Sequence, residues 1–182
     1  MRPSHAFLAL MLAAASGAAL ADKSPPPLVR FSGAIGVDPL TASSGVDVSN
    51  VVRGISPGGR SWVLRKLSAK VGSDGSVSAK GAGLLFGSGD LIATRGTVAA
   101  VAVTLFCGAA DATARRFTSP SGALDLAGNF NLKGTLSEDG INPAVMPATC
   151  DNPQMLVRSF NTGTGLPGNW FAAGIVGSGD DD

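Results

Sequence analysis

Glycine interrupts this chain so often that long helices have little room to form. The 182 residues include 25 glycines, and the apolar residues between them tend to alternate with polar ones. From Asp22 onward, no window keeps apolar residues at helical spacing over three turns. Alternation with a period of two is typical of strands that bury one face. The sequence therefore predicts a single all-β domain, an antiparallel β-sandwich or small β-barrel of about eight to ten short strands.

Short alternating segments bounded by turn residues mark the predicted strands. They are Val29–Val37, Val46–Ile55, Trp62–Val71, Ser76–Phe86, Val98–Cys107, Arg116–Thr118, Gly122–Leu126, Asn129–Leu136, Met155–Phe160 and Trp170–Val176. The segment Val98–Cys107 is almost continuously apolar, so we expect a central strand with both faces buried. The segment Asn161–Gly168 is interpreted as a loop before the last strand.

Two turns predict hairpins. In the first, the sequence Ser-Ala-Lys stands on both sides of a Gly-Ser-Asp-Gly turn. A three-residue loop at 73–75 would pair Val71 with Val77 and Ala69 with Ala79, leaving serines and lysines on the opposite face. In the second hairpin, a turn at 127–129 would join the strands on either side of it.

The first 21 residues have the three parts of a secretory signal peptide. Arg2 lies in a short basic region, Ala6–Ala15 forms an apolar core, and small residues end at Ala21. The core is far shorter than the roughly 20 residues of a membrane-spanning helix, so the chain is not expected to span a membrane. Cleavage after Ala21 would release an all-β domain of residues 22–176 and a disordered acidic tail of residues 177–182 into the bacterial periplasm or the medium.

Cys107 and Cys150 are the only cysteines. In an exported protein, an even number of cysteines without a C-x-x-C motif predicts a structural disulfide. Closing a loop of about 43 residues would stabilise the fold by roughly 4 kcal/mol in the chain-entropy model. We therefore expect a disulfide between these residues and no catalytic thiol.

The charges of the exported chain balance. The 14 basic residues include Arg2 of the signal peptide, and the remaining 13 equal the 13 acidic residues. This balance does not favour nucleic acid as a partner. No acidic residue lies between Asp47 and Asp74, and the basic residues of that stretch are interpreted as a solvated face. No cofactor and no metal are predicted.

The only histidine, His5, lies within the predicted signal peptide. Its removal excludes Ser-His-Asp and Cys-His catalysis and histidine-based metal sites. The Ser-x-x-Lys motif is also absent from the sequence. Paired carboxylates remain, so the alternative function is a histidine-independent, glycosidase-like hydrolase. The candidate carboxylates are Glu138 and the adjacent Asp139, together with Asp90, Asp111, Asp125 and Asp151.

A turn before the third predicted strand carries the strongest binding signal. It places Arg53, Arg60 and Trp62 close together in sequence. Guanidinium and indole groups suit a glycan or an anionic envelope component, through paired hydrogen bonds and stacking. A tryptophan that begins a strand also packs commonly in a core. Both interpretations, ligand binding and packing, remain open for this turn.

Four stretches of the sequence resemble a group of small exported bacterial proteins to which no activity is attached. They are Asn50–Val63, Thr104–Gly108, Phe117–Phe130 and Trp170–Gly174. The resemblance implies export and an all-β fold, and it implies no functional residue. Together these observations favour a non-enzymatic binding or structural module of the bacterial envelope or exterior, stabilised by one disulfide.

Overall fold

The computed structural model describes residues 27–39, 50–138 and 140–177. These residues form nine strands and no helix, so none of their segments is a helix that could cross a membrane. The predicted signal peptide and residues 178–182 of the predicted tail lie outside the described residues. The strands are β1 (Pro27–Gly36), β2 (Trp62–Gly72), β3 (Ser76–Phe86), β4 (Ala100–Cys107), β5 (Arg115–Thr118), β6 (Gly122–Ala123), β7 (Phe130–Thr135), β8 (Gln154–Asn161) and β9 (Leu166–Val176).

All nine strands belong to one antiparallel sheet, which confirms the all-β fold. Its order is β5-β4-β8-β9-β1-β2-β3-β7, with β6 also paired to β4. The sheet curls until its two edges meet. Ser137, just after β7, and Thr118 of β5 exchange backbone hydrogen bonds of 2.9 and 2.8 Å. The result is a half-barrel whose edges are bridged at this point.

The hairpin of β2 and β3 has the predicted register. Val71 pairs with Val77 and Ala69 pairs with Ala79, and all four side chains are buried. Gly75 makes the turn possible because its φ of 81° lies in the left-handed region. The serines and lysines of the hairpin consequently lie on the outer face of the sheet.

The second predicted hairpin is wrong. Its turn forms, with the amide of Gly128 donating to the carbonyl oxygen of Asp125 at 3.0 Å, but β6 pairs with β4 and β7 pairs with β3. The packing of Phe130 explains the choice of partner. A side chain added at Gly81 of β3 would lie 2.2 Å from the Phe130 ring, so β3 offers space that this ring fills. The turn therefore connects the two edges of the curled sheet.

The described part of the predicted strand Val46–Ile55 is also not a strand. Residues 50–55 form a turn closed by a bridge between Val52 and Ile55. Arg53 and Gly54 both have positive φ, 52° and 77°, and this conformation cannot continue an extended chain. At the other end of the sequence, β9 begins at Leu166 and takes in residues interpreted as loop.

All eight residues of β4 are buried, as the apolar sequence predicts. One face of β4 packs inside the half-barrel, where Leu105 lies opposite Phe117. The segment 50–58 lies against β9, where Gly58 donates to the carbonyl oxygen of Trp170 at 2.8 Å and Trp170 donates to that of Ser56 at 3.1 Å. The indole Nε1 of Trp170 donates to the carbonyl oxygen of Asn50 at 3.0 Å, which holds that segment in place.

The predicted disulfide between Cys107 and Cys150 is present, with Cα atoms 4.8 Å apart. It joins the end of β4 to the long connection between β7 and β8. The amide of Gly108 also donates to the carbonyl oxygen of Asp151 at 2.8 Å. Covalent and hydrogen bonds together tie this connection to the core strand.

Candidate anion-binding site

Trp62 packs inside the protein. It is 3% exposed, and its ring stacks on Phe171 with centroids 4.1 Å apart. The ring of Phe86 lies 4.3 Å away, with the two planes tilted by 47°. Packing therefore accounts for this tryptophan, because a buried indole has no free face for a ligand.

The two arginines of the same turn contact different neighbours. The guanidinium of Arg53 donates to Gln154 Oε1 at 3.2 Å and to the carbonyl oxygen of Asn152 at 2.8 Å. The guanidinium of Arg60 lies over the Phe86 ring, 5.7 Å from its centroid. Arg53 thus joins the turn to the start of β8 and to the connection before it, and Arg60 lies over an aromatic side chain. Ligand binding by Arg53 and Arg60 stays a prediction.

A cavity of about 650 Å³ opens elsewhere on the sheet. Its walls come from β5, from residues 137, 138 and 140–143 after β7, and from β8 and the start of β9. Two guanidinium groups, those of Arg116 and Arg158, line it. They come from β5 and β8, which lie on either side of β4.

Arg158 is buried in this wall, with 8% of its surface exposed. Nε donates to the carbonyl oxygen of Gly168 at 2.8 Å, and Nη2 donates to that of Pro167 at 3.0 Å. Nη1 donates to the hydroxyl of Thr104 at 3.2 Å. These acceptors are neutral, and no carboxylate among the described residues pairs with this guanidinium. The three bonds use three of its five N–H donors.

The electrostatic surroundings of Arg158 are unfavourable to its charge. Burial, and to a lesser degree the positive charge of Arg116, lowers the pKa of Arg158 to about 10. Arg158 therefore remains cationic at neutral pH. Among the described residues the one ion pair joins Arg115 to Glu138 at 2.9 Å, so neither cavity arginine has a carboxylate partner there.

Glu138 also lines the cavity, but its charge is already paired. Arg115 donates through Nε and Nη2 to the two carboxylate oxygens, each at 2.9 Å. Such a two-point contact holds the carboxylate and offsets its charge. The cavity consequently keeps an excess of positive charge from the other two arginines.

Hydroxyl and apolar groups complete the walls. The Thr118 hydroxyl shares a hydrogen bond of 3.1 Å with Thr104, beside Arg158. Ile141 and Leu166 line the cavity while remaining 86% and 64% exposed, and Phe160 lines it from β8. The arrangement is suited to a ligand that has an anionic group and an apolar portion.

Two carboxylates of the hydrolase hypothesis hold turns, Glu138 pairs with Arg115, and Asp139 lies outside the described residues. Asp111 and Asp125 accept hydrogen bonds from Thr113 and Asn129, and these bonds lower the pKa of each carboxyl. Within the described ranges, His, Cys, Asp and Glu form no group of three or more that could hold a metal ion. Catalysis by paired carboxylates stays a prediction.

The sequence gives only a weak signal for this cavity. Arg158 follows three buried residues of β8, Met155–Val157, and a charged residue inside an apolar strand indicates a special environment. Arg116 follows Arg115 at a strand end, which is also typical of a solvated surface. The two arginines become neighbours only through the pairing of β5 and β8 with β4.

No protein-family model, curated protein or solved structure matches this chain. The interpretation of the cavity consequently depends on its own geometry.

Proposed function

We propose that this chain is an exported, non-enzymatic binding module that holds an anionic ligand in the cavity between Arg116 and Arg158. The ligand class is a carboxylate, phosphate or sulfate with an apolar substituent, such as a component of the envelope or of the surrounding medium. The observation that carries the proposal is the buried guanidinium of Arg158, which has neutral hydrogen-bond acceptors and no described counter-ion.

Burial of an unpaired cation is unfavourable by several kcal/mol. A ligand anion would offset this penalty by placing a negative charge against both guanidinium groups. The planar guanidinium can donate two parallel hydrogen bonds to one carboxylate or phosphate. The volume of about 650 Å³ is within the range of small-molecule sites.

Export is supported by two features of different kinds. The first 21 residues have the pattern of a signal peptide, and the disulfide suits an oxidising compartment. The disulfide also anchors the connection that supplies Asn142 and Pro143 to the cavity. A binding site built on an anchored connection would be preorganised for its ligand.

Isothermal titration with 4-phenylbutyrate tests this function, because the probe joins one carboxylate to an apolar ring. Its neutral amide is the matched control. We expect the acid to bind and the amide to bind at least about tenfold more weakly, since a hydrogen bond to a charged group contributes about 1.5–3 kcal/mol. Equal affinity for acid and amide would contradict the proposal.

Two variants test whether phenylbutyrate binds in the cavity. Arg116 is exposed, so Arg116→Gln should preserve the fold while weakening phenylbutyrate binding about tenfold. Lys133→Gln removes the same charge from β7, outside the cavity, and should leave the affinity unchanged. An equal loss in both variants would mean that net charge, rather than the cavity, attracts the probe.

A further inference from the structure

The outer face of four neighbouring strands carries positive charge only. The strands β1, β2, β3 and β7 contain no acidic residue. They contain one basic residue in β1, three in β2, one in β3 and one in β7. These residues are Arg30, Arg65, Lys66, Lys70, Lys80 and Lys133, and we call them the cationic face.

The strand register arranges this face in rows, because cross-strand partners share one side of a sheet. One row is Arg30, Lys70, Ser78 and Lys133, and the adjacent row is Ser32, Ser68, Lys80 and Asn131. With neighbouring strands about 4.8 Å apart, each row is about 14 Å long. Cations and hydroxyl groups therefore lie side by side over an extended, regular surface.

The charges of this face are not compensated within the described chain. Arg30 and Lys70 lie directly opposite each other, and like charges in such pairs are destabilising. None of the six basic side chains makes a hydrogen bond or ion pair with another described residue. The exported chain as a whole is formally neutral, so the positive charge of this face is a local excess and not a property of the whole chain.

A depression of about 500 Å³ lies within the cationic face. Its lining includes Lys66, Ser68 and Lys80, and small residues such as Gly33 and Ala82 keep it open. A chain-like ligand lying across the rows would meet cations and hydroxyl groups at each strand. One unit of such a chain would bind in the depression.

We propose that the cationic face binds a linear polysaccharide that carries carboxylate or sulfate groups. The serine hydroxyls between the cations suit sugar hydroxyls as well as anions. A bilayer surface fits less well, since the large exposed apolar residues of these strands, Ile35 and Val63, lie near the strand ends, beyond both rows. Nucleic acid fits less well because no aromatic residue of these strands is exposed: Phe31, Trp62 and Phe130 lie in the core, and the half-buried Phe86 packs against it.

Affinity chromatography on immobilised heparin and polygalacturonate tests this proposal with the full exported chain. We expect retention at low ionic strength and elution as salt rises, because binding releases counter-ions. Lys80→Gln and Lys133→Gln should each elute at lower salt. Each should also reduce the slope of log affinity against log salt by about one, as loss of one ionic contact does for other polyanions.

Arg115→Gln is the charge-matched control, because Arg115 lies on β5 and outside the cationic face. Its elution should equal that of the unmodified chain, and a shift as large as that of Lys80→Gln would overturn the proposal. Tighter binding to phosphatidylglycerol vesicles or to single-stranded DNA than to either glycan would also overturn it. The double variant of Lys80 and Lys133 should still bind phenylbutyrate, which separates this surface from the cavity.

Discussion

Removal of the disulfide should cost this protein a large part of its stability. The bond closes a loop with a sequence separation of 43 residues. In the chain-entropy model, a loop of that length loses about 13 cal/mol/K of unfolded-state entropy, or about 4 kcal/mol at 25 °C. Typical domains are stable by about 5–15 kcal/mol. The variant Cys107→Ala with Cys150→Ala should therefore fold but unfold far more readily.

Urea unfolding followed by tryptophan fluorescence measures this loss. Trp62 and Trp170 are both buried, so exposure on unfolding should shift their emission. With a slope of about 2 kcal/mol per M urea, a loss of about 4 kcal/mol lowers the midpoint by about 2 M. The backbone bond between Gly108 and Asp151 should keep the connection near its place in the folded variant.

The matched control compares the effect of a reductant on the unmodified chain and on the double variant. Dithiothreitol should lower the midpoint of the unmodified chain to that of the double alanine variant and leave the variant itself unchanged. A fall of less than about 0.5 M in the double variant would refute the argument from loop closure. Such a result would mean that the unfolded chain is already constrained without the bond.

Three further outcomes follow from particular contacts. Arg158→Met should abolish phenylbutyrate binding in titration while lowering the unfolding free energy in urea by no more than about 2 kcal/mol, because the loss of three hydrogen bonds is offset by the removal of an unpaired buried charge. Gly81→Ala should destabilise the fold by about 1–3 kcal/mol in urea, since its Cβ would lie 2.2 Å from the Phe130 ring. Gly59→Ala, with open space around it, should stay within about 0.5 kcal/mol. Hydrogen bonds from Asn129 lower the pKa of Asp125 in the folded state below its ordinary value of 3.8. The unfolded state therefore binds more protons, and the free energy of unfolding should fall as pH drops below that value. In acid unfolding curves, Asp125→Asn should make this fall less steep.

Local patterns in the sequence carry much of the fold. The turn at Gly75 and the alternation around it are sufficient to predict the register of β2 and β3. The apolar run before Cys107 predicts a strand buried on both faces. Each of these features depends only on residues that are close in sequence or on burial, and both can be predicted directly from the sequence.

The sequence does not show which strands pair when they are far apart along the chain. A turn near Gly128 shows where the chain reverses, but the partner of β7 is decided by the space at Gly81. For Trp62 the sequence leaves packing and ligand binding open, and the packing that the structure shows depends on Phe171, from the last strand.

The candidate cavity depends on pairing in the same way. Arg116 and Arg158 belong to separate segments, and only the arrangement of β5, β4 and β8 makes them neighbours. The cationic face is likewise visible in sequence as serines alternating with lysines. Its alignment across four strands follows from the register.

The most direct test of the proposed function is a crystal structure of the protein with 4-(4-bromophenyl)butyrate, in which anomalous scattering locates the bromine. The carboxylate should lie within hydrogen-bond distance of the Arg158 and Arg116 guanidinium groups, with the bromophenyl ring toward Ile141 and Leu166. Bromine density at another site, or a carboxylate turned away from both arginines, would contradict it.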